Sequence, residues 1–206
     1  MKNLFLASIA RNTLNIFVES LDCHPSALKV AFIPTAGNIL KDNWFVTEDR
    51  NKLIDLGFTV VDVNLEDKTK NQLLEAMTDI DIIFVAGGNT FYLLQETKKS
   101  GFDQIVISFV EKGGAYIGSS AGTLLAGQSI ELAKNIDNQK DAPELKSCDG
   151  LKLVDFVVLP HYDDQDFKNK IDQNLQKHKN YKHKIIKILD NQAVVVKGDS
   201  FKIVSN

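Results

Sequence analysis

Ser120 is the central residue of Gly118-Ser119-Ser120-Ala121-Gly122, a G-x-S-x-G pentapeptide that follows the short apolar run 115–117. A serine in this setting is a candidate nucleophile. It occupies a sharp strand-to-helix turn, and small residues two positions away on either side let the strand and helix close around it. The first helical N–H groups then point at whatever the hydroxyl attacks. A Gly/Ser-rich turn without chemistry carries the same letters, so partners have to be found elsewhere in the chain.

A serine hydroxyl needs a base within hydrogen-bond reach. Of the four histidines, His24 precedes Pro25 in an expected loop, and His178 and His183 fall in a Lys-rich stretch read as a solvated helix end. His161 alone follows an apolar run directly, at 156–160, which places it at a strand end. The base in turn needs a carboxylate to fix its tautomer. Asp190, closing the run 184–189, is the first choice; Asp137, Asp163 and Asp164 are its rivals. Gly87-Gly88-Asn89-Thr90 follows another apolar run and lacks the G-x-G-x-x-G of a dinucleotide site. Two glycines there allow a backbone amide to point into a site, so the Gly88 and Ala121 amides are assigned as oxyanion donors. The neighbouring Asn89 and Thr90 are candidate substrate contacts.

These residues require a scaffold that gathers strand ends. Runs 3–8, 29–34, 59–63, 82–86 and 115–117 read as strands. They alternate with helical patterns around Leu14 to Leu21, from a Thr47 cap to Gly57, around Leu73 to Met77, and around Phe91 to Leu94. That succession predicts an α/β fold: a mostly parallel central sheet with helices on both faces, binding ligands at the carboxyl ends of its strands. The polar segment 131–149 reads as a loop or excursion. A strand at 156–160 and a helix over about 167–178 follow, then short antiparallel C-terminal strands at 184–189, 193–196 and 201–204. Asp190-Asn191 and Gly198-Asp199 supply the expected hairpin turns. No linker interrupts 1–206, so one domain is expected.

Composition narrows the partners. A net charge of −3 leaves no broad basic field, which argues against nucleic acid and anionic membranes. Cys23 and Cys148 stand far apart and form neither a disulfide framework nor a metal knuckle, and no metal or organic cofactor is expected. Only Arg11 and Arg50 can offer a planar guanidinium. The opening residues 1–10 imitate a signal peptide but hold too short an apolar core, and no run approaches a membrane span. A cytoplasmic monomer or homodimer is the expectation.

Val85-Ala86-Gly87-Gly88-Asn89-Thr90, Tyr116-Ile117-Gly118-Ser119-Ser120-Ala121-Gly122 and Leu159-Pro160-His161-Tyr162 together resemble the peptidase E family of serine peptidases. That family includes the aspartyl dipeptidases and is related to cyanophycinases; the resemblance covers nearly the whole chain. It implies a fold similar to class I glutamine amidotransferases, with serine at the elbow in place of cysteine. By the same resemblance Ser120 is the nucleophile, His161 the base and Gly88 an oxyanion donor. The third member would be acidic and near the tail strands, a glutamate in the aspartyl dipeptidases, with the shorter Asp190 the nearest match. The implied activity is hydrolysis of short peptides, dipeptides above all, through an acyl-enzyme, with an acidic N-terminal residue as the family's preference. Those enzymes hold the acidic side chain with an arginine after the histidine. This chain offers only Lys168 and Lys170 there, point charges without the guanidinium fork. The competing expectations are a cyanophycinase-like hydrolase or esterase on the same scaffold, and a non-catalytic small-molecule binding protein.

Overall fold

The computed structural model describes residues 1–177 and 181–206. Its main sheet has seven strands in the order β3-β2-β4-β5-β1-β8-β9. Five are parallel: β1 (Asn3–Ala7), β2 (Lys29–Ile33), β3 (Thr59–Asp62), β4 (Ile82–Val85) and β5 (Ala115–Ser119). β8 (Gln192–Lys197) runs antiparallel to β1, and β9 (Ser200–Ser205) returns along β8 in a hairpin turned at Gly198, φ +60°.

Alternation along each central strand divides the apolar side chains between two cores. Leu4, Leu6, Ile83, Val85 and Tyr116 face one side, where α4 (Thr90–Ser100), α5 (Phe102–Glu111) and α6 (Ala121–Ala126) pack. Phe5, Ala7, Phe32, Phe84 and Ile117 face the other, against α1 (Ala10–Glu19) and α2 (Trp44–Asp55). The rings of Phe32 and Phe84 stack at 5.2 Å on that second side. The short α3 (Lys70–Ala76) contributes Leu73 to the first core. Among the described residues no helix is long and apolar enough to cross a membrane.

Three details differ from the sequence expectation. The helix expected to start at a Thr47 cap begins at Trp44, because Asn43 is fixed at its entrance by a 3.2 Å side-chain hydrogen bond to the Gly37 carbonyl. Helix α5 had no counterpart in the expectation, although Phe102, Ile105, Val106 and Val110 mark a buried face at helical spacing. The run at 184–189 is not one arm of a hairpin. β7 (Lys184–Lys187) pairs in parallel with β6 (Phe156–Leu159) in a separate two-stranded sheet, and Asp190-Asn191 crosses from that sheet to the main one. Buried Val157 and Ile186 belong to the first core, and burying both strands there outweighs the local turn preference of Asp-Asn. The last helix, α7 (Gln165–Lys177), starts beside Asp164, whose carboxylate accepts from the Asp166 and Phe167 amides at 2.9 and 3.1 Å.

One of the closest approaches lies where α6 leaves β5. A Cβ on Gly122 would stand 2.1 Å from the Val85 carbonyl oxygen, and one on Gly118 would stand 2.7 Å from the Gly122 backbone. Substituting Gly122→Ala must therefore push α6 off β4. We expect a stability loss of about 1–3 kcal/mol, the cost of overpacking, read as a lower midpoint in urea or thermal denaturation.

Candidate active site

The carboxyl ends of β1, β4 and β5 are neighbours in the sheet, and they deliver Ser8, Gly87-Gly88 and Ser119-Ser120 to one rim. Ser120 takes φ +50° and ψ −104°, a conformation that costs a non-glycine residue about 1–3 kcal/mol. Its surroundings enforce it. The Ser120 amide donates to the Ala7 and Ser8 carbonyls at 3.2 and 3.0 Å, and its own carbonyl accepts from the Thr123 and Leu124 amides at 3.0 Å each. The Thr123 hydroxyl bridges the Ala7 and Gly118 carbonyls at 2.7 and 2.9 Å. Tyr116, fully buried, ties its hydroxyl to the Gly122 carbonyl at 2.6 Å.

The second sheet delivers the histidine. Beyond Leu159 and Lys187, the strand ends stay together through Ile188 N–H to the Leu159 carbonyl and Tyr162 N–H to the Ile188 carbonyl. His161 and Asp190 therefore emerge side by side. The imidazole Nε2 lies 2.9 Å from Ser120 Oγ, and Nδ1 lies 2.6 Å from Asp190 Oδ1. Partial burial works to raise the Asp190 pKa. The hydrogen bond and charge of His161, helped by the Ser8 hydroxyl and Arg11, outweigh it and hold the carboxyl below the usual range.

The rival carboxylates go elsewhere. Asp164 caps α7. Asp163 accepts the Asp190 amide at 2.9 Å, so it supports the acid's backbone. Asp137 accepts the Thr90 amide at 2.8 Å on the opposite wall. Burial raises the Asp137 pKa, and contacts with Thr90 and the charges of His161 and Lys170 offset this only in part. Among the other histidines, His24 bonds Ser26 at 2.9 Å, and His183 lies before β7, at the end remote from Asp190. His178 lies outside the described residues.

Gly88, at φ +138°, is confined by the Ala36 carbonyl, 2.1 Å from where a Cβ would stand, so no side chain fits. Among the described residues no protein acceptor takes the Gly88 or Ala121 amide hydrogen. Asn89 caps α4 by accepting from the Phe91 and Tyr92 amides at 3.0 and 3.1 Å, and its amide group reaches the Asn138 carbonyl and Asp141 at 3.0 Å each. Asn89 thereby tethers the 131–149 segment, which forms a wall of the site. Lys168 and Lys170 lie outside the cavity lining, over the rings of Tyr162 and Phe167 at 5.4 and 5.8 Å.

A cavity of about 430 Å³ opens on Ser120 and His161, within the range of small-molecule sites. Asn89, Thr90 and Asp137 line one part; Arg11, Trp44 and Asp49 line another. Sequence reasoning missed Ser8, Trp44 and Asp49, and left Arg11 without a place. Ser8 was open to discovery by the strand-end rule that found His161, since it directly follows the apolar β1. The Arg11 guanidinium sits 5.1 Å from the Trp44 ring centroid and 3.5 Å from Asp49. Burial pushes the Asp49 pKa up despite contacts with Ser119 and Arg11. Arg50 is spent outside the site, in a two-pronged pair with Asp62 at 2.7 Å for each bond.

A model of peptidase family S51 matches residues 9–204. An uncharacterized peptidase of Listeria monocytogenes is 33% identical over 198 residues, 96% of each chain. Peptidase E of Streptomyces coelicolor is 32% identical over 142 residues, 69% of this chain and 54% of that one. A 1.5 Å crystal structure from Listeria monocytogenes, provisionally titled a peptidase E protein, superposes with a TM-score of 0.92 at 30% identity, covering 100% of this chain and 99% of the other.

A carboxyl whose pKa is lowered by folding stabilises the fold above its unfolded value, near 3.9, and loses that contribution as pH falls through the lower folded value. The stability gap between wild type and Asp190→Asn should therefore narrow as pH drops from about 5 to about 2. Urea titrations at a series of pH values measure it, and a gap independent of pH would refute the assignment.

Proposed function

The chain belongs to peptidase family S51, and from that membership we propose a serine peptidase that cleaves dipeptides and other short peptides through Ser120, His161 and Asp190. The observation that carries this reading is the hydrogen-bonded chain from Ser120 Oγ through both imidazole nitrogens to Asp190 Oδ1, at 2.9 and 2.6 Å, with Ser120 and His161 on the wall of the cavity. In this mechanism Nδ1 carries the proton toward Asp190, leaving the Nε2 lone pair to accept the hydroxyl proton as Ser120 attacks the peptide carbonyl. The Gly88 and Ala121 amides, which have no protein acceptor among the described residues, take the oxyanion; one such donor is worth about 3 kcal/mol in the transition state. His161 then protonates the departing amine, and water releases the acyl group by the reverse relay.

The charges lining the cavity suit a zwitterion. Asp137, which pairs with no cation among the described residues, receives the free amino terminus. Arg11, the only guanidinium on the lining, receives a substrate carboxylate, either the carboxyl terminus or an acidic side chain. One observation favours a second reading. Asp49, Asp137 and Asp141 line the cavity against that single arginine, a balance that suits a basic leaving group such as the arginine of a β-aspartyl-arginine unit.

A dipeptide panel decides between them. Turnover of Ala-Leu that is lost on blocking its amino terminus supports the dipeptidase; preference for Asp-Leu assigns Arg11 to the side chain; turnover of β-aspartyl-arginine alone supports the second reading. Ser120→Ala should lower turnover by about 10⁴-fold or more with the fold intact, and His161→Gln should do the same. His183→Gln should leave it unchanged. A fluorophosphonate should label wild type stoichiometrically at Ser120, and wild-type turnover in Ser120→Ala would end the proposal.

A further inference from the structure

Ser8 touches every member of the proposed catalytic group, although nothing in the G-x-S-x-G or Pro-His motifs includes it. It is fully buried where β1 ends. Its carbonyl accepts the Ser120 amide at 3.0 Å, within the turn that holds the nucleophile at positive φ. Its hydroxyl oxygen accepts the His161 amide at 2.8 Å, and His161 is itself at φ +60°. Its hydroxyl hydrogen goes to Asp190 Oδ1 at 2.7 Å.

We propose that Ser8 is the positioning residue of this site: it fixes the histidine's backbone and the acid's carboxylate relative to the nucleophile turn, and it sets the imidazole tautomer. The inference rests on Ser120, His161 and Asp190 acting as proposed above.

The tautomer follows from where the few available hydrogens go. Ser8 Oγ also lies 3.3 Å from His161 Nδ1. A serine has one hydroxyl hydrogen. Directed at Nδ1, that hydrogen would leave the ring's own proton on Nε2, facing Ser120, and the base would be lost. The ionised Asp190 carboxylate can only accept and lies closer, at 2.7 Å, so the hydroxyl hydrogen turns to it while the His161 amide takes a lone pair of Ser8 Oγ. Asp190 Oδ1 then accepts from both Ser8 and Nδ1–H, and Nε2 is left bare toward the nucleophile.

The position also accounts for how an aspartate can serve. The histidine and acid come from the two-stranded sheet, the nucleophile from the seven-stranded one. Asp190 is tied to the end of β1 through Ser8 on its side chain, and to α1 through Asn12, which donates to its carbonyl at 3.0 Å. Without the Ser8 hydroxyl the carboxylate keeps a single donor and can rotate about its short stem.

The test compares Ser8→Ala and Ser8→Thr. In Ser8→Ala we expect kcat and the rate of fluorophosphonate labelling to fall together by about 100-fold, the effect of misplacing a reacting group by an ångström, while KM and the melting temperature stay near wild type. The far-downfield proton resonance of the Nδ1–Asp190 bond should disappear. Ser8→Thr keeps the hydroxyl and should restore most of the rate and the resonance. If Ser8→Ala fails to fold, Ser8→Cys carries the same expectation, since it keeps the volume and weakens the hydrogen bond. Unchanged labelling in Ser8→Ala overturns the inference, as does equal loss in Ser8→Ala and Ser8→Thr that tracks their melting temperatures. Failure of wild type to label at Ser120 would instead overturn the functional reading itself.

Discussion

Everything at this site depends on holding residue 120 in a conformation that a serine avoids. The cost is about 1–3 kcal/mol, comparable with one or two net hydrogen bonds, so no single contact secures it comfortably. Hydrogen bonds from β1 and from the first turn of α6 clamp the residue on both sides, while Gly118 and Gly122 allow that turn to sit against β4. The G-x-S-x-G spacing is therefore a statement about clearance. A Cβ at position 122 meets a carbonyl oxygen of the neighbouring strand, and a backbone atom cannot swing aside as a side chain can.

Much of the architecture was legible because parallel strands buried on both faces leave compact apolar runs, and helices between them leave a period of 3.6. The family and the peptidase activity were legible for a related reason: three short motifs at strand ends have few alternatives in composition. Pairing was less legible. Nothing local in Lys-Ile-Ile-Lys says that β7 lies parallel to β6 rather than antiparallel to β8. Asp190-Asn191 is a good hairpin turn by its letters, and only the burial of Val157 and Ile186 in the first core decides otherwise. Thr47 misled for a similar reason, since an excellent cap by type is overridden when Asn43 is anchored by a loop far from it in pattern.

Long-range polar contacts were the least legible class. Ser8 and His161 are 153 positions apart, and Arg11 and Asp49 are separated by 38. A lone serine after an apolar run looks like a strand terminator, and an arginine early in a helix looks like a solvated side chain. Both readings are right for most proteins. They fail here because β1 lies between β5 and β8 in the sheet, so its end is central although its sequence is terminal.

The same centrality explains why the rival carboxylates divide as they do. Asp163 and Asp164 are adjacent to the histidine in sequence, yet each is already committed to backbone amides: one supports the loop that carries Asp190, the other starts α7. Asp137 stands across the cavity, where burial keeps its proton affinity high; Asp190 is pushed the other way by a histidine and a buried hydroxyl. A carboxylate that orients a base must stay ionised while that base gains a proton, and Asp190 has the environment for this. Asp137 on the cavity wall and Asp190 behind His161 thus acquire opposite electrostatic characters from what surrounds them, and that difference makes Asp190 the better partner for His161.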